Sequence, residues 1–370
     1  MKISGIQIFW LLFTFLTGNT ILLTINEAIF DAKQDAWISL LITSAIAFLL
    51  VIIYTKVGLL HPNETLIQLS KTILGKWLGN LVIIIYLINW YAATSVVLSQ
   101  FADFTNTILL YSTPQWIINL MILLLIIYLL YIGGIEGIAR CAEFFGPIIL
   151  IMSVLLFCFS ISNIDVQRIL PIYADSGITS IMKGTLLPLS FFGETVIILM
   201  LIKFMDEPKN APKSALWAIG ISSFLVTSFT FMVITVFGAN TAAKMRYSAF
   251  DLVSVISIMN FIQNLEVVAV VIWILSVFIK LALYIYVASY GTAQWLKIKD
   301  WRKPIWIISV LAFIIVQIYP NITLYNIEYT IHYRVPFVLP INLIGIPIVL
   351  WIVGSIRKRM SRKKSSDFSS

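Results

Sequence analysis

Apolar residues run along this chain in ten blocks, at about 6–30, 36–57, 81–108, 115–132, 145–161, 181–205, 214–237, 264–291, 304–320 and 335–356. Most are close to the length of about 20 residues that carries a helix across a hydrocarbon core, and the short fifth and ninth fit with tilt or local thinning. Two blocks break their own pattern near the middle. The first holds Thr17-Gly18-Asn19-Thr20 and the sixth holds Ser190-Phe191-Phe192-Gly193-Glu194. Each glycine lies about twelve residues into its block, roughly 18 Å of helix and near the bilayer midplane. Irregular backbone at that depth survives only where it lines a cavity or is buried in protein.

Ten helices divide as five plus five, with the broken blocks opening each half. An odd number of spans inverts the second half relative to the first. The expected fold is therefore an all-α integral membrane protein of ten transmembrane helices, a LeuT-type 5+5 inverted repeat with helices 1 and 6 broken. The expected organisation is one transmembrane domain, residues 1–356, with repeats at about 6–161 and 181–356. A cytoplasmic polybasic tail, 357–370, follows, disordered from Ser361 to Ser370. Asn63-Glu64-Thr65 is placed to cap a short interfacial helix carrying Leu66, Ile67, Ser70, Ile73, Leu74 and Trp77 on one face. Residues 248–262 read as an outer re-entrant or lid segment.

Composition agrees. Hydrophobic residues make up 60% and charged residues 11%, with a mean hydropathy of +0.98; a soluble domain carries about 25% charged residues. The net charge of +8 does not point to nucleic acid, because six basic residues sit together in Arg357-Lys358-Arg359 and Arg362-Lys363-Lys364, directly after the last block. Such a segment favours anionic lipid by about 1 kcal/mol per residue, or fixes topology. With the N-terminus inside, the inner loops and tail hold 18 Lys and Arg and the outer loops hold 6, Arg334 among the latter. Both termini are expected in the cytoplasm, and the first block reads as a retained span rather than a signal peptide. Cys141, Cys158, His61 and His332 are too scattered for a metal cluster. The sequence shows no nucleophile–base arrangement or phosphate loop, so neither an enzyme nor a metal or organic cofactor is expected.

The opening Ile3-Ser4-Gly5-Ile6-Gln7-Ile8-Phe9, the Thr17-Gly18-Asn19 break, Ile169-Leu170-Pro171, and Leu187-Pro188-Leu189-Ser190-Phe191-Phe192-Gly193-Glu194 form a further pattern. Together with ten blocks over this length, the chain resembles the B subunits of spore germinant receptors, the germination permeases similar to the amino acid–polyamine–organocation transporters. The resemblance implies a small-molecule germinant (an amino acid, sugar or nucleoside), assembly with an A-type membrane subunit and a C-type lipoprotein, and residence in a spore inner membrane. A proton-coupled amino acid transporter on the same fold remains the alternative.

Candidate ligand residues follow from the breaks. A broken helix offers free N–H groups to a carboxylate and free carbonyls to a cation. A zwitterion therefore matches a site built from Thr17, Gly18, Asn19 and Thr20 with Phe191, Phe192, Gly193 and Glu194. Glu194 at midplane depth costs roughly 2.5–3.5 kcal/mol to insert, which marks it for function or for backbone bonding. Lys280 is the one basic residue read as lying well inside a block, and Ser276, Lys280 and Tyr284 share a helix face. Lys280 is placed either to replace a coupling cation or to pair with Glu194 or a backbone carbonyl and hold helices together. Tyr91 and Ser95 lead a polar stripe that continues through Ser99, Asp103 and Asn106; the two are placed at ligand depth or in helix packing. Glu136, Arg140 and Glu143 read as a solvated surface pattern.

Overall fold

The computed structural model describes residues 2–255, 265–319 and 322–367. Among these residues the regular structure is helical, apart from one isolated bridge between Ile3 and Met205. Seven helical stretches are long and apolar enough to cross a membrane, and the shorter Lys303–Ile318 is apolar too. Two of the seven each carry two of the expected blocks. Gly5–Leu60 comprises α1, Gly5–Ala32, and α2, Ala36–Leu60, joined by a turn at Lys33–Asp35.

α3, Leu66–Leu74, begins after Thr65, whose N–H donates to the Gln68 side chain at 3.3 Å. It buries Leu66, Ile67, Ser70 and Ile73 as its spacing predicts, whereas Trp77 is exposed. α4 is Lys76–Ile108 and α5 is Gln115–Ser160. The loop expected between blocks four and five is instead helical. At 46 residues α5 is roughly 69 Å long, more than two hydrocarbon cores, and it turns at Gly134. The backbone there takes φ 51, ψ −141, which a side chain would strain.

The second half begins with α6, Gly177–Phe192. Tight 3-10 turns over Gly193–Ile197 lead into the single turn of α7, Ile198–Leu201. Then come α8 (Ala211–Phe237), α9 (Ala239–Ala242), α10 (Ser248–Ser254), α11 (Glu266–Leu296), α12 (Lys303–Ile318) and α13 (Ile322–Glu328). The outer segment expected over 248–262 is thus helical in its first part, and 256–264 lie outside the described residues.

The last span begins well before residue 335. After α13 the chain widens into a π-helix over Tyr329–Gly345 and continues as α14, Ile346–Asp367. Pro336 and Pro340 lie within the widened stretch, and Pro347 follows it. A proline lacks the N–H that would serve the carbonyl four or five residues earlier. For Pro347 those carbonyls belong to Leu343 and Asn342. They are taken up by buried tyrosines instead, Tyr54 donating to Leu343 O at 2.5 Å and Tyr86 to Asn342 O at 2.6 Å. The helix continues through the basic tail to Asp367 where disorder from Ser361 was expected, consistent with its many good helix formers.

α1 is the centre of the assembly. Every residue from Leu11 to Leu22 is buried, and the helix packs against α5, α6, α8 and α11. Its entry is fixed by a capping box in which Gln7 N–H donates to Ser4 Oγ and Ser4 N–H to Gln7 Oε1. At the start of the chain Ile3 pairs with Phe204 and Asp206, Lys2 N–H donates to Glu136 at 2.8 Å, and Gln7 donates to Glu143 at 3.0 Å. The Lys2 bond holds the exposed Glu136 carboxyl below the usual carboxylate range. Beyond the solvated surface pattern expected with Arg140, Glu136 and Glu143 tie down the N-terminal segment.

Candidate functional site

The two predicted breaks have different outcomes. α1 remains helical through Thr17-Gly18-Asn19-Thr20, so the expected unwinding there does not occur. Its hydrogen-bond ladder is nonetheless entered from outside. The Ser276 hydroxyl on α11 accepts from Gly18 N–H at 3.0 Å and donates to the carbonyl of Thr14. Those two groups, four residues apart, are the ones an unperturbed helix pairs with each other. Glycine is required at this point because a Cβ on residue 18 would land on the Ser276 side chain. A partner helix thus satisfies the polar groups that unwinding would have released.

The neighbours of Gly18 point elsewhere. Thr17 bonds Phe13 O at 2.7 Å and meets Ser222 of α8 at 2.9 Å. Thr20 bonds back to Leu16 O at 2.6 Å. Asn19 reaches Gln100 of α4 at 3.5 Å, its amide oxygen buried without a partner.

The second break is real and takes the form of tightening. Helix α6 changes to 3-10 turns at Gly193, where a Cβ would stand 2.8 Å from a Leu343 methyl of the π-helix. The tighter turn brings Glu194 into the protein interior, 7% exposed. Two cations meet its carboxylate. Lys280 Nζ lies 2.6 Å from Oε2, and Arg334 donates from its terminal nitrogen to Oε1 at 2.5 Å. The Lys280 contact is charge on charge, off hydrogen-bond alignment. Arg334 is further fixed by Ser190, donating from Nε to its hydroxyl at 2.8 Å and from its terminal nitrogen to its carbonyl at 3.1 Å.

Aromatic faces close the cluster. Phe191 stacks beneath Arg334 at 3.8 Å and under Lys280 at 5.0 Å, and Phe15 of α1 lies 4.9 Å from the ammonium. Tyr284, one turn past Lys280, faces the same carboxylate and packs on Phe15. Phe192 turns into the apolar core instead. Three helical elements, the 3-10 segment, α11 and the π-helix, therefore converge on one anion and two cations, with Lys280 1% and Arg334 4% exposed. One positive charge is left over. A cluster of this kind, away from water, presents an unsatisfied demand for an anionic group.

Arg334, expected in an outer loop, is buried at the cluster, so Lys280 is not alone as a basic residue deep in a span. Hydropathy stops a span at its first charge, so a buried arginine that opens the block was assigned to solvent. The three prolines and the run Tyr325, Tyr329, Tyr333 at helical spacing were the available signal that the span begins earlier.

Tyr91 and Ser95 are placed on the flank. They line a groove of about 590 Å³ between α4, α11, α12 and α13, with Tyr91 meeting Thr292 at 2.9 Å and Ser95 meeting Tyr325 at 2.8 Å. Tyr325 packs with Tyr329, which borders Arg334 and Glu194, so the groove reaches the cluster through a tyrosine wall. Ser99 bonds Asn326 at 2.5 Å, and Asp103 accepts from Tyr247 at 3.0 Å and from Arg246.

A family model described as "Spore germination protein" matches residues 2–324. Among relatives in Bacillus subtilis (strain 168), spore germination protein YndE is 27% identical over 76% of this chain and 77% of its own. Spore germination protein KB is 26% identical over 81% and 80%, and spore germination protein B2 is 24% identical over 98% and 97%. Among solved structures, MhsT in complex with L-phenylalanine superimposes with a TM-score of 0.66 at 11% identity, covering 96% of this chain and 86% of its own. A substrate-bound, outward-open Na+-coupled sialic acid symporter gives 0.64 at 13% identity, over 95% and 79%. The structural likeness is one of fold, the LeuT-type fold expected from the two-half pattern.

Proposed function

The chain belongs to the family of spore germination proteins, and on that premise we propose that it is the membrane subunit of a germinant receptor whose ligand, an amino acid, is held at the Glu194–Lys280–Arg334 cluster. The family and fold are those of permeases, and the chain is a multi-pass membrane protein. The single observation that carries the proposal is the convergence of two buried basic side chains, Lys280 and Arg334, on one carboxylate where the second helix break meets α11 and the π-helix. A zwitterion answers it. Its carboxylate takes the surplus of Lys280 and Arg334, and its ammonium shares Glu194 and the Phe15 and Phe191 rings.

In this reading Phe191, Gly193, Glu194, Lys280 and Tyr284 form the ligand site together with Arg334. Gly18 and Ser276 hold α1 against α11. Tyr91 and Ser95 border the flank rather than the ligand. Thr17, Asn19, Thr20 and Phe192 serve packing. Ten spans in one domain, residues 1–356, with both termini cytoplasmic and repeats at about 6–161 and 181–356, fit two of the seven apolar stretches each crossing twice and the shorter Lys303–Ile318 crossing once. Assembly with an A-type membrane subunit and a C-type lipoprotein in a spore inner membrane completes the proposal, and the basic tail lies against anionic lipid. The receptor senses its ligand and passes the change to those partners.

Transport is the second reading, favoured by the fold shared with an L-phenylalanine-bound protein and a symporter. Liposomes holding the purified chain separate the two. Saturable binding of labelled amino acid without accumulation supports sensing, and proton-driven accumulation supports a carrier. Absence of any binding overturns both.

A further inference from the structure

A cavity of about 40 Å³ lies on the outer side of Gly18, one helical turn along α11 from Ser276 and two from Lys280. Its walls come from α1, α4, α5, α8 and α11, with Phe104 and Phe229 among them, and α10 forms its roof with Phe250. Among the described residues no charged side chain lines it. Ser153 and Trp273 are among its lining residues, each with a side-chain polar atom, Ser153 Oγ and Trp273 Nε1. Both belong to residues at most 2% exposed, and neither has a hydrogen-bond partner.

The combination is selective. One water needs roughly 10–15 Å³ of such space and two to four polar partners, so about three waters would share two protein groups and be poorly held. A zwitterion would find no counter-charge. An apolar gas or hydrocarbon would leave the indole N–H and the hydroxyl unmet. What fits is a molecule of three or four heavy atoms, uncharged, with an apolar body and one oxygen that accepts from Trp273 and bonds Ser153.

We propose that this cavity is a second ligand site, separate from the charged cluster, for a small uncharged molecule of the short-alcohol or small-amide class. The position gives such a ligand a lever. The roof is tied to the walls at two places: Asn26 of α1 accepts from Ser248 N–H at 3.2 Å and from its hydroxyl at 2.7 Å, and Asp103 of α4 accepts from Tyr247 and Arg246. An occupant touching Phe250 above and Trp273 below adds a third tie and holds α10 down.

The test uses the full chain in nanodiscs, labelled with 5-fluorotryptophan, the Trp273 resonance being assigned with Trp273→Phe. n-Propanol is the probe. The expected result is a saturable shift of the Trp273 resonance, while the other tryptophans move little and linearly. Ala269→Leu, which fills the cavity from α11, should abolish saturation with the thermal midpoint retained. Ser153→Ala, a second variant for the case that Ala269→Leu does not fold, should weaken binding by roughly tenfold. Three results each overturn the proposal: a linear shift common to all tryptophans, saturation unchanged in both variants, or water cross-relaxation at the Trp273 N–H that propanol does not displace.

Discussion

Removing Glu194 should damage this protein far more than removing Lys280, although the two form one ion pair. At an effective dielectric of about 20, each contact to Glu194, at 2.5 and 2.6 Å, has a gross attraction of about 6 kcal/mol, largely cancelled by desolvation. The net outcome follows the charge left behind. Lys280→Met leaves Glu194 paired with Arg334, still bonded to Ser190, and puts an apolar chain between Phe15 and Phe191. Because the remaining Glu194–Arg334 pair is balanced and no uncompensated charge is left, the large penalty of a broken pair does not arise, and the expected change is within about 1 kcal/mol. Glu194→Gln leaves two buried cations without an anion and should lose at least about 3–5 kcal/mol, a large share of a typical stability. The double variant keeps one unpaired cation and should fall between. Thermal or chemical unfolding of the purified variants in one detergent measures the order: Lys280→Met near wild type, then the double variant, then Glu194→Gln. A Lys280→Met protein as unstable as Glu194→Gln would refute the charge count and make the Lys280–Glu194 contact itself the structural element.

Gly18→Ala should lose about 1–3 kcal/mol because its methyl meets the Ser276 side chain, and Ser276→Gly in the same chain should restore most of it in an unfolding titration. Tyr54→Phe and Tyr86→Phe should each cost about 1–3 kcal/mol by orphaning a buried carbonyl; Pro347→Ala supplies an N–H to the same pair and should soften one or both losses. Asn26→Ala combined with Asp103→Asn should loosen α10, seen as faster amide exchange over Ser248–Ser254 with α11 unchanged beyond its first turn. Equal exchange in the variant and the parent would show that those bonds do not hold the roof.

The legible part of this molecule was what hydrophobic length encodes. The long apolar helices, the fold and the capped short helix follow from block length, spacing and Thr65, and glycines 18 and 193 each mark a place where a neighbouring helix comes too close for a side chain. Glu194 and Lys280 were legible for the opposite reason, being costly where they stand. The rest depends on partners remote in sequence. Nothing near Gly18 announces that Ser276, 258 residues away, will repair the ladder and spare α1 from unwinding. Arg334 was hidden because a charge at the edge of an apolar block and a charge inside a π-helix look alike until three prolines have set the backbone. Tyr91 and Ser95 share a stripe with the right depth, but only the packing of α13 decides that the stripe faces a flank groove.

The central claim is that the excess cation of the buried cluster receives the carboxylate of an amino acid. Equilibrium binding of radiolabelled L-amino acids, tested singly on the protein in nanodiscs, addresses it directly, with each unlabelled acid and its amide as competitors. Saturable binding is expected, displaced by the acid, resisted by the amide, and lost in the still-folded Lys280→Met. Displacement by the amide as readily as by the acid, or undiminished binding in Lys280→Met, would contradict it.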